Sequence, residues 1–179
     1  MSISAALRQL VRERAQFACE YCGVTEHNVG SELTIDHYYP ESLGGSDDAE
    51  NLCYCCHRCN LNKLDYWPHE PDDLPIWNPR TSSPSDHILI LADGMAYPVT
   101  AIGRTTIGQL RLNRPPLIAY RRAQQASREA YRLLHERRSL IAALEDVNQQ
   151  QRMLIDRQRH LLLQQEQLIR VLLNESLHE

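Results

Sequence analysis

The sequence predicts an α+β protein: a small cysteine-braced module, a short β-hairpin extension and a long C-terminal α-helix with coiled-coil character. Three observations predict it. Two Cys-x-x-Cys pairs, Cys19/Cys22 and Cys56/Cys59, bracket a polar segment. Asp93-Gly94 lies between two apolar runs in HILILADGMAYPV, a strong hairpin signal. From Leu117 onward there is neither Gly nor Pro, and apolar residues recur every seven positions.

The chain has 179 residues and a net charge of −4, so one domain or two small ones is expected. Aromatic residues make up 6% of the chain and Phe occurs once, so a large aromatic-rich core is not expected; Lys also occurs once. No apolar run reaches the roughly 20 residues that span a bilayer. The N-terminal stretch lacks a signal-peptide pattern, because Arg and Glu interrupt its apolar residues. A cytoplasmic protein with no membrane partner is expected. Six cysteines in a reducing compartment point to metal or chemistry rather than disulfides. An acidic chain argues weakly against a nucleic-acid partner, but the charge is unevenly placed. Arg dominates from Arg104 to Arg138, where the only acids are Glu129 and Glu136, while the cysteine-rich segment is acidic. That asymmetry suits a polyanion-binding arm beside a metal site; a solvated helix face is the alternative.

Residues 3–15 read as an amphipathic helix, with Ile3, Leu7, Leu10 and Val11 on one face and Arg8, Arg12, Glu13 and Arg14 opposite. Residues 66–85 are Pro-rich and aperiodic, a loop anchored by Trp67, Ile76 and Trp77. Residues 87–99 read as the hairpin, and 105–113 as a short helix ended by Pro115-Pro116. Leu133, Leu140, Val147, Leu154, Leu161 and Leu168 mark a heptad, the signature of a coiled coil. Leu134, Ile141, Ile155, Leu162 and Ile169 form an adjacent stripe, with Asn148 as its polar exception. As one helix the segment would run roughly 85 Å at the standard rise. So narrow a stripe needs a partner helix. The Asn148–Gln151 run leaves open a bend into a hairpin, although no turn residue supports one. The expected domains are 1–67, a metal module with its N-terminal helix; 68–116, the extension; and 117–179, an oligomerisation helix.

Two Cys-x-x-Cys knuckles supply four thiolates in a tetrahedron, the donor set of a closed structural Zn²⁺ site. Cys19, Cys22, Cys56 and Cys59 are the expected ligands. Cys53 repeats the spacing with Cys56; Cys53 and Cys55 follow Leu52 in an apolar stretch and are read as packing residues.

Between and after the knuckles, Asp36-His37, Pro40, Gly44-Gly45, Asn51-Leu52, Cys56, Cys59-Asn60 and Lys63 resemble the HNH endonuclease motif over roughly residues 17–65. The resemblance implies a ββα-metal fold braced by the zinc cage. It also implies that Asp36 binds a catalytic ion, that His37 is the general base and that Asn51 fixes the loop carrying the base. Residues 75–122 resemble, more loosely, the tail of small bacterial HNH proteins.

The residues read the same way on their own chemistry. Phosphodiester hydrolysis needs an activated water, a base and a cation at the phosphate. Neutral imidazole is available near pH 7, and alternation along a strand puts Asp36 and His37 on opposite sides. The last motif position is Asn60, where His is often found. An Asn carbonyl ligates a hard ion such as Mg²⁺ or Mn²⁺ beside a carboxylate; His57 is the rival ligand. Lys63, Arg104, Arg111, Arg114, Arg121 and Arg122 are expected to contact phosphates.

The sequence therefore predicts a metal-dependent DNA endonuclease, acting as a homodimer or higher oligomer. Two other readings stand beside it: an HNH effector recruited to a hetero-partner through its coiled coil, and a zinc-stabilised nucleic-acid binder without hydrolysis.

Overall fold

The structure, a computed structural model, describes residues 3–175, with side chains to residue 170. The chain divides into two units, Met1–Gln125 and Ala126–Glu179. The side chains of residues 171–175 and all of residues 176–179 lie outside the described set.

In the first unit, α1 (Ala5–Arg14) starts at Ser4, whose Oγ accepts from the Leu7 amide at 3.2 Å, a conventional N-cap. Only part of the expected apolar face is buried. Val11 is fully enclosed, but Leu10 is half exposed. Two Arg residues assigned to the solvent face turn inward instead. Arg12 forms a two-pronged pair with Glu26, at 2.6 and 2.7 Å. Arg14 donates to the carbonyls of Ala49 and Leu52 at 2.9 and 2.7 Å. A guanidinium that reaches backbone acceptors can sit on the buried side of a helix, and hydropathy patterning misses that.

The helix α1 leads into the first knuckle, followed by α2 (Glu26–Val29) and the strand β1 (Thr34–His37). A 3₁₀ turn (Glu41–Leu43) and a tight loop connect β1 to β2 (Leu52–Cys55), and α3 (His57–Lys63) follows. The strands pair antiparallel, with Asp36 opposite Cys53 and His37 opposite Leu52. The order β1-β2-α3 is the ββα arrangement that the resemblance implied. β2 is buried throughout, and α1 and α3 pack beside this hairpin. The paired glycines serve the loop. Gly44 ends the 3₁₀ turn at φ 92. A Cβ on Gly45 would run into the Tyr39 carbonyl, so the loop closes only with Gly there.

The Pro-rich segment is irregular but anchored. Trp77 is buried, meets the Tyr21 ring edge-on at 6.2 Å, and its amide donates to Thr106 Oγ1 at 2.7 Å. Trp67 packs edge-on to Tyr38 and Tyr39. The expected hairpin is β3 (Ile88–Ile90) with β4 (Ala96–Pro98), turned at Gly94 with φ 82. The short helix α4 is Ala101–Gln109, four residues earlier than expected. Thr100 caps it, accepting from the Gly103 amide at 3.0 Å, and Gly103 is required where α4 crosses the His87 carbonyl. Reciprocal amide bonds tie this extension to α3: Asn62 Nδ2 to the Leu110 carbonyl and Gln109 Nε2 to the Asn62 carbonyl, both at 2.9 Å.

The long helix α5 is Pro115–Glu175. Pro115, expected to end the preceding helix, opens this one, where the missing N–H costs nothing. The helix continues through Asn148–Gln151 without a break. Within the second unit its heptad leucines are exposed, Leu154 at 59% and Leu161 at 51%, and local pairs such as Arg170–Glu166 at 2.8 Å support it. No helix among the described residues is long and apolar enough to cross a membrane.

Candidate active site and metal centre

The first knuckle is a tight turn in which Cys19 N donates to the Val24 carbonyl and Gly23 N to the Cys19 carbonyl, at 2.9 and 2.8 Å. Cys56 is the N-cap of α3, and Cys59 follows one turn later. The thiol sulfurs of Cys19, Cys22, Cys56 and Cys59 lie within 4.8 Å of one another, all buried. Burial and the neighbouring thiols hold the Cys19 thiol well above its ordinary range. Four buried thiols this close together give up their protons together only around a cation, and the all-sulfur donor set fits structural Zn²⁺. The Arg114 guanidinium approaches the sulfurs of Cys59 and Cys56 at 3.9 and 4.0 Å, a position that offsets their negative charge.

Cys53 and Cys55 stand outside this cluster. Burial pushes the Cys53 thiol up to about 11, and its sulfur accepts from the Tyr21 hydroxyl at 3.6 Å. Cys55 is likewise raised by burial and lies beside Thr34. Both thiols stay protonated at neutral pH, as packing residues do.

Across the β1-β2 hairpin from the cage, Asp36 and His37 end β1. Asp36 is mostly buried, and its Oδ2 accepts no hydrogen bond. Burial raises its carboxyl above the usual range, and the Lys63 ammonium, 3.3 Å away, offsets this only in part. A buried carboxylate that Lys63 compensates only in part is a donor that a hard cation would satisfy further.

Lys63 was expected to touch phosphate. It is instead 1% exposed, with Nζ donating to the His37 carbonyl at 2.6 Å. Its position at the end of α3 points it inward, so it holds the strand rather than a ligand.

Family resemblance and geometry agree at this point. Residues 19–65 match the family model described as HNH endonuclease. The module is an HNH endonuclease domain with four cysteines placed to bind a metal. Residues outside 19–65 lie beyond that match, and no curated protein matches the chain.

Within the HNH domain, Asn51 joins both ends of the loop after β1. Its Oδ1 accepts from the Tyr39 amide at 2.8 Å, and its Nδ2 donates to the carbonyls of Tyr39 and Ser46 at 3.0 and 2.9 Å. Asn60 Nδ2 donates to Thr34 Oγ1 at 3.3 Å, which turns the amide nitrogen toward β1 and leaves Oδ1 as the end able to ligate. His57 is exposed at the first position of α3.

The Arg residues separate by environment. Arg104, Arg111 and Arg122 are exposed. Arg121 is buried, donating to the carbonyls of Gly94 and Leu112 at 3.1 and 2.8 Å. It ties α5 to the hairpin and leaves the set of expected phosphate contacts. Arg114 is half-buried and faces the cage.

One functional neighbour went unseen in the sequence. Asp47 has its Oδ1 2.8 Å from His37 Nε2. The signal was its place two residues past Gly45, on a loop that Asn51 folds back toward β1.

Proposed function

We propose that this protein is a metal-dependent DNA endonuclease that hydrolyses phosphodiester bonds at the β1-α3 site. One observation carries the reading: the adjacent Asp36 and His37 differ sharply in state. Asp36 is a buried carboxylate ion-paired to the Lys63 ammonium, while the His37 ring is held from one side by a neighbouring carboxylate.

In this mechanism His37 takes the proton of the attacking water as its oxygen bonds to phosphorus and the bond from phosphorus to the leaving sugar oxygen breaks. Asp36 and Asn60 would hold a divalent ion, Mg²⁺ or Mn²⁺, with His57 as the alternative ligand. When bound, the ion supplies Lewis-acid stabilisation of charge at the phosphate and leaving oxygen. Asn51 keeps the loop after His37 in one conformation, and Lys63 fixes the His37 backbone. The exposed Arg104, Arg111 and Arg122 supply salt-sensitive contacts to the DNA backbone.

The same proposal assigns 1–67 to the nuclease module, 68–116 to the extension and 117–179 to self-association. A hetero-partner bound by the same helix, with the module as its effector, is the second reading; the exposed heptad stripe favours it equally.

The test is plasmid cleavage by the full chain with Mg²⁺ or Mn²⁺. Wild type cuts and His37→Ala loses most activity. Equal cutting by His37→Ala sinks the mechanism. Tight DNA binding with no cleavage under any divalent ion favours a zinc-stabilised binder.

A further inference from the structure

We infer that Asp47 is the positioning residue for His37, selecting the imidazole tautomer whose Nδ1 is free to act as base. The inference rests on the endonuclease reading for its catalytic meaning, but the geometry is independent of it. An ionised carboxylate only accepts hydrogen bonds. With Asp47 Oδ1 2.8 Å from His37 Nε2, the neutral ring carries its proton on Nε2. Its lone pair is then on Nδ1, on the other side of the ring. A ring free to exchange tautomers or rotate would spend part of its time with the wrong nitrogen presented.

The loop does not need Asp47 for its own shape. Asn51 closes it through Tyr39 and Ser46. The neighbouring Asp48 makes the local bonds, accepting from Ser46 Oγ at 2.7 Å and, through its carbonyl, from the Asn51 amide at 2.8 Å. The Asp47 carboxylate is directed at His37. His37 is thereby fixed at two points: its carbonyl by Lys63 Nζ at 2.6 Å and its ring by Asp47. The first sets the strand end and the second sets the ring. This is the logic by which an outer carboxylate orients a working histidine.

The experiment uses the full, zinc-loaded chain labelled with ¹⁵N-histidine, and Asp47→Asn and Asp47→Ala beside wild type. Long-range ¹H–¹⁵N spectra, with His37→Gln to assign the ring, report the tautomer directly. Wild type shows Nε2–H at His37. In Asp47→Ala the ring becomes a tautomer mixture, and Asp47→Asn, whose amide can accept or donate, falls between. With DNA, kcat drops on the order of 10- to 100-fold in Asp47→Ala, taking as a guide the range for carboxylates that orient metal-bound histidines. KM stays within about twofold, because substrate contacts are untouched. Zinc content and thermal midpoint stay at wild-type values. An Nδ1–H tautomer in wild type, or an unchanged tautomer and kcat in Asp47→Ala, overturns the inference. If wild type itself fails to cut DNA, the endonuclease reading fails while the spectra still decide the role of Asp47.

Discussion

Lys63 Nζ lies 2.6 Å from the His37 carbonyl and 3.3 Å from Asp36 Oδ2. One buried ammonium thus secures the backbone of one proposed working residue and neutralises the side chain of the other. Lys63→Met keeps most of the side-chain volume and removes the charge. Breaking a buried pair from one side costs about 3 kcal/mol, since the partner is left uncompensated. Chemical denaturation is expected to show a loss of that order. The salt dependence of DNA binding should stay unchanged, because an enclosed lysine releases no counterions from DNA. A shallower salt slope with unaltered stability would return Lys63 to the phosphate-contact role.

The cage makes a prediction that separates ligand from packing cysteines. Wild type is expected to hold one zinc per chain by elemental analysis. Cys59→Ser should lose the metal and the folded state of the module, because the cage joins the α1 side of the chain to α3. Cys53→Ala should keep full zinc and lose about 1 kcal/mol, the worth of the Tyr21 contact plus a small void. Zinc loss in Cys53→Ala would redraw the cage.

Glu26 supplies a pH dependence. The Arg12 guanidinium bonds it at both oxygens, Tyr54 donates to it as well, and its carboxyl is lowered below the usual range. A folded-state value below the unfolded one means the unfolded chain binds the proton more tightly. The stabilisation is therefore full above the ordinary Glu range and disappears as pH falls through the lowered value. Glu26→Gln should melt below wild type at pH 7, and the gap should narrow steadily on acidification. A gap that is constant or widens toward low pH would show that shape, not charge, is what Glu26 contributes.

What the sequence made legible followed from spacing and period. The knuckles, the Asp36-His37 pair, the Asp93-Gly94 turn and the uninterrupted heptad each announce themselves within a short window. What it hid depends on contacts distant in sequence. Arg14 and Arg121 are charged residues whose guanidinium groups find backbone carbonyls 35 and 27 residues away, so composition placed them in solvent. Lys63 looked like a phosphate contact because its carboxylate partner is on another element. Asp47 went unseen because only the Asn51-closed loop carries it back to His37. The start of α4 was missed because Gly103 masked a helix that Thr100 caps.

The exposed stripe on α5 makes the last prediction. Leu154 and Leu161 are more than half exposed in the single chain, so they contribute little to its own stability. They are worth burying only against another helix, and about 25 cal/mol per Å² of apolar surface favours doing so. Gln151, Gln158 and Gln165 on the same side weaken the seam and narrow the choice of partner. A second copy of this chain is the occupant proposed. Sedimentation equilibrium of the full chain should then give a dimer or higher oligomer, and the double variant Leu154→Lys/Leu161→Lys should give a monomer. The thermal transition and zinc content of the first unit should be the same in both. A wild-type chain that sediments as a monomer at tens of micromolar would remove self-association and leave the helix to a different partner.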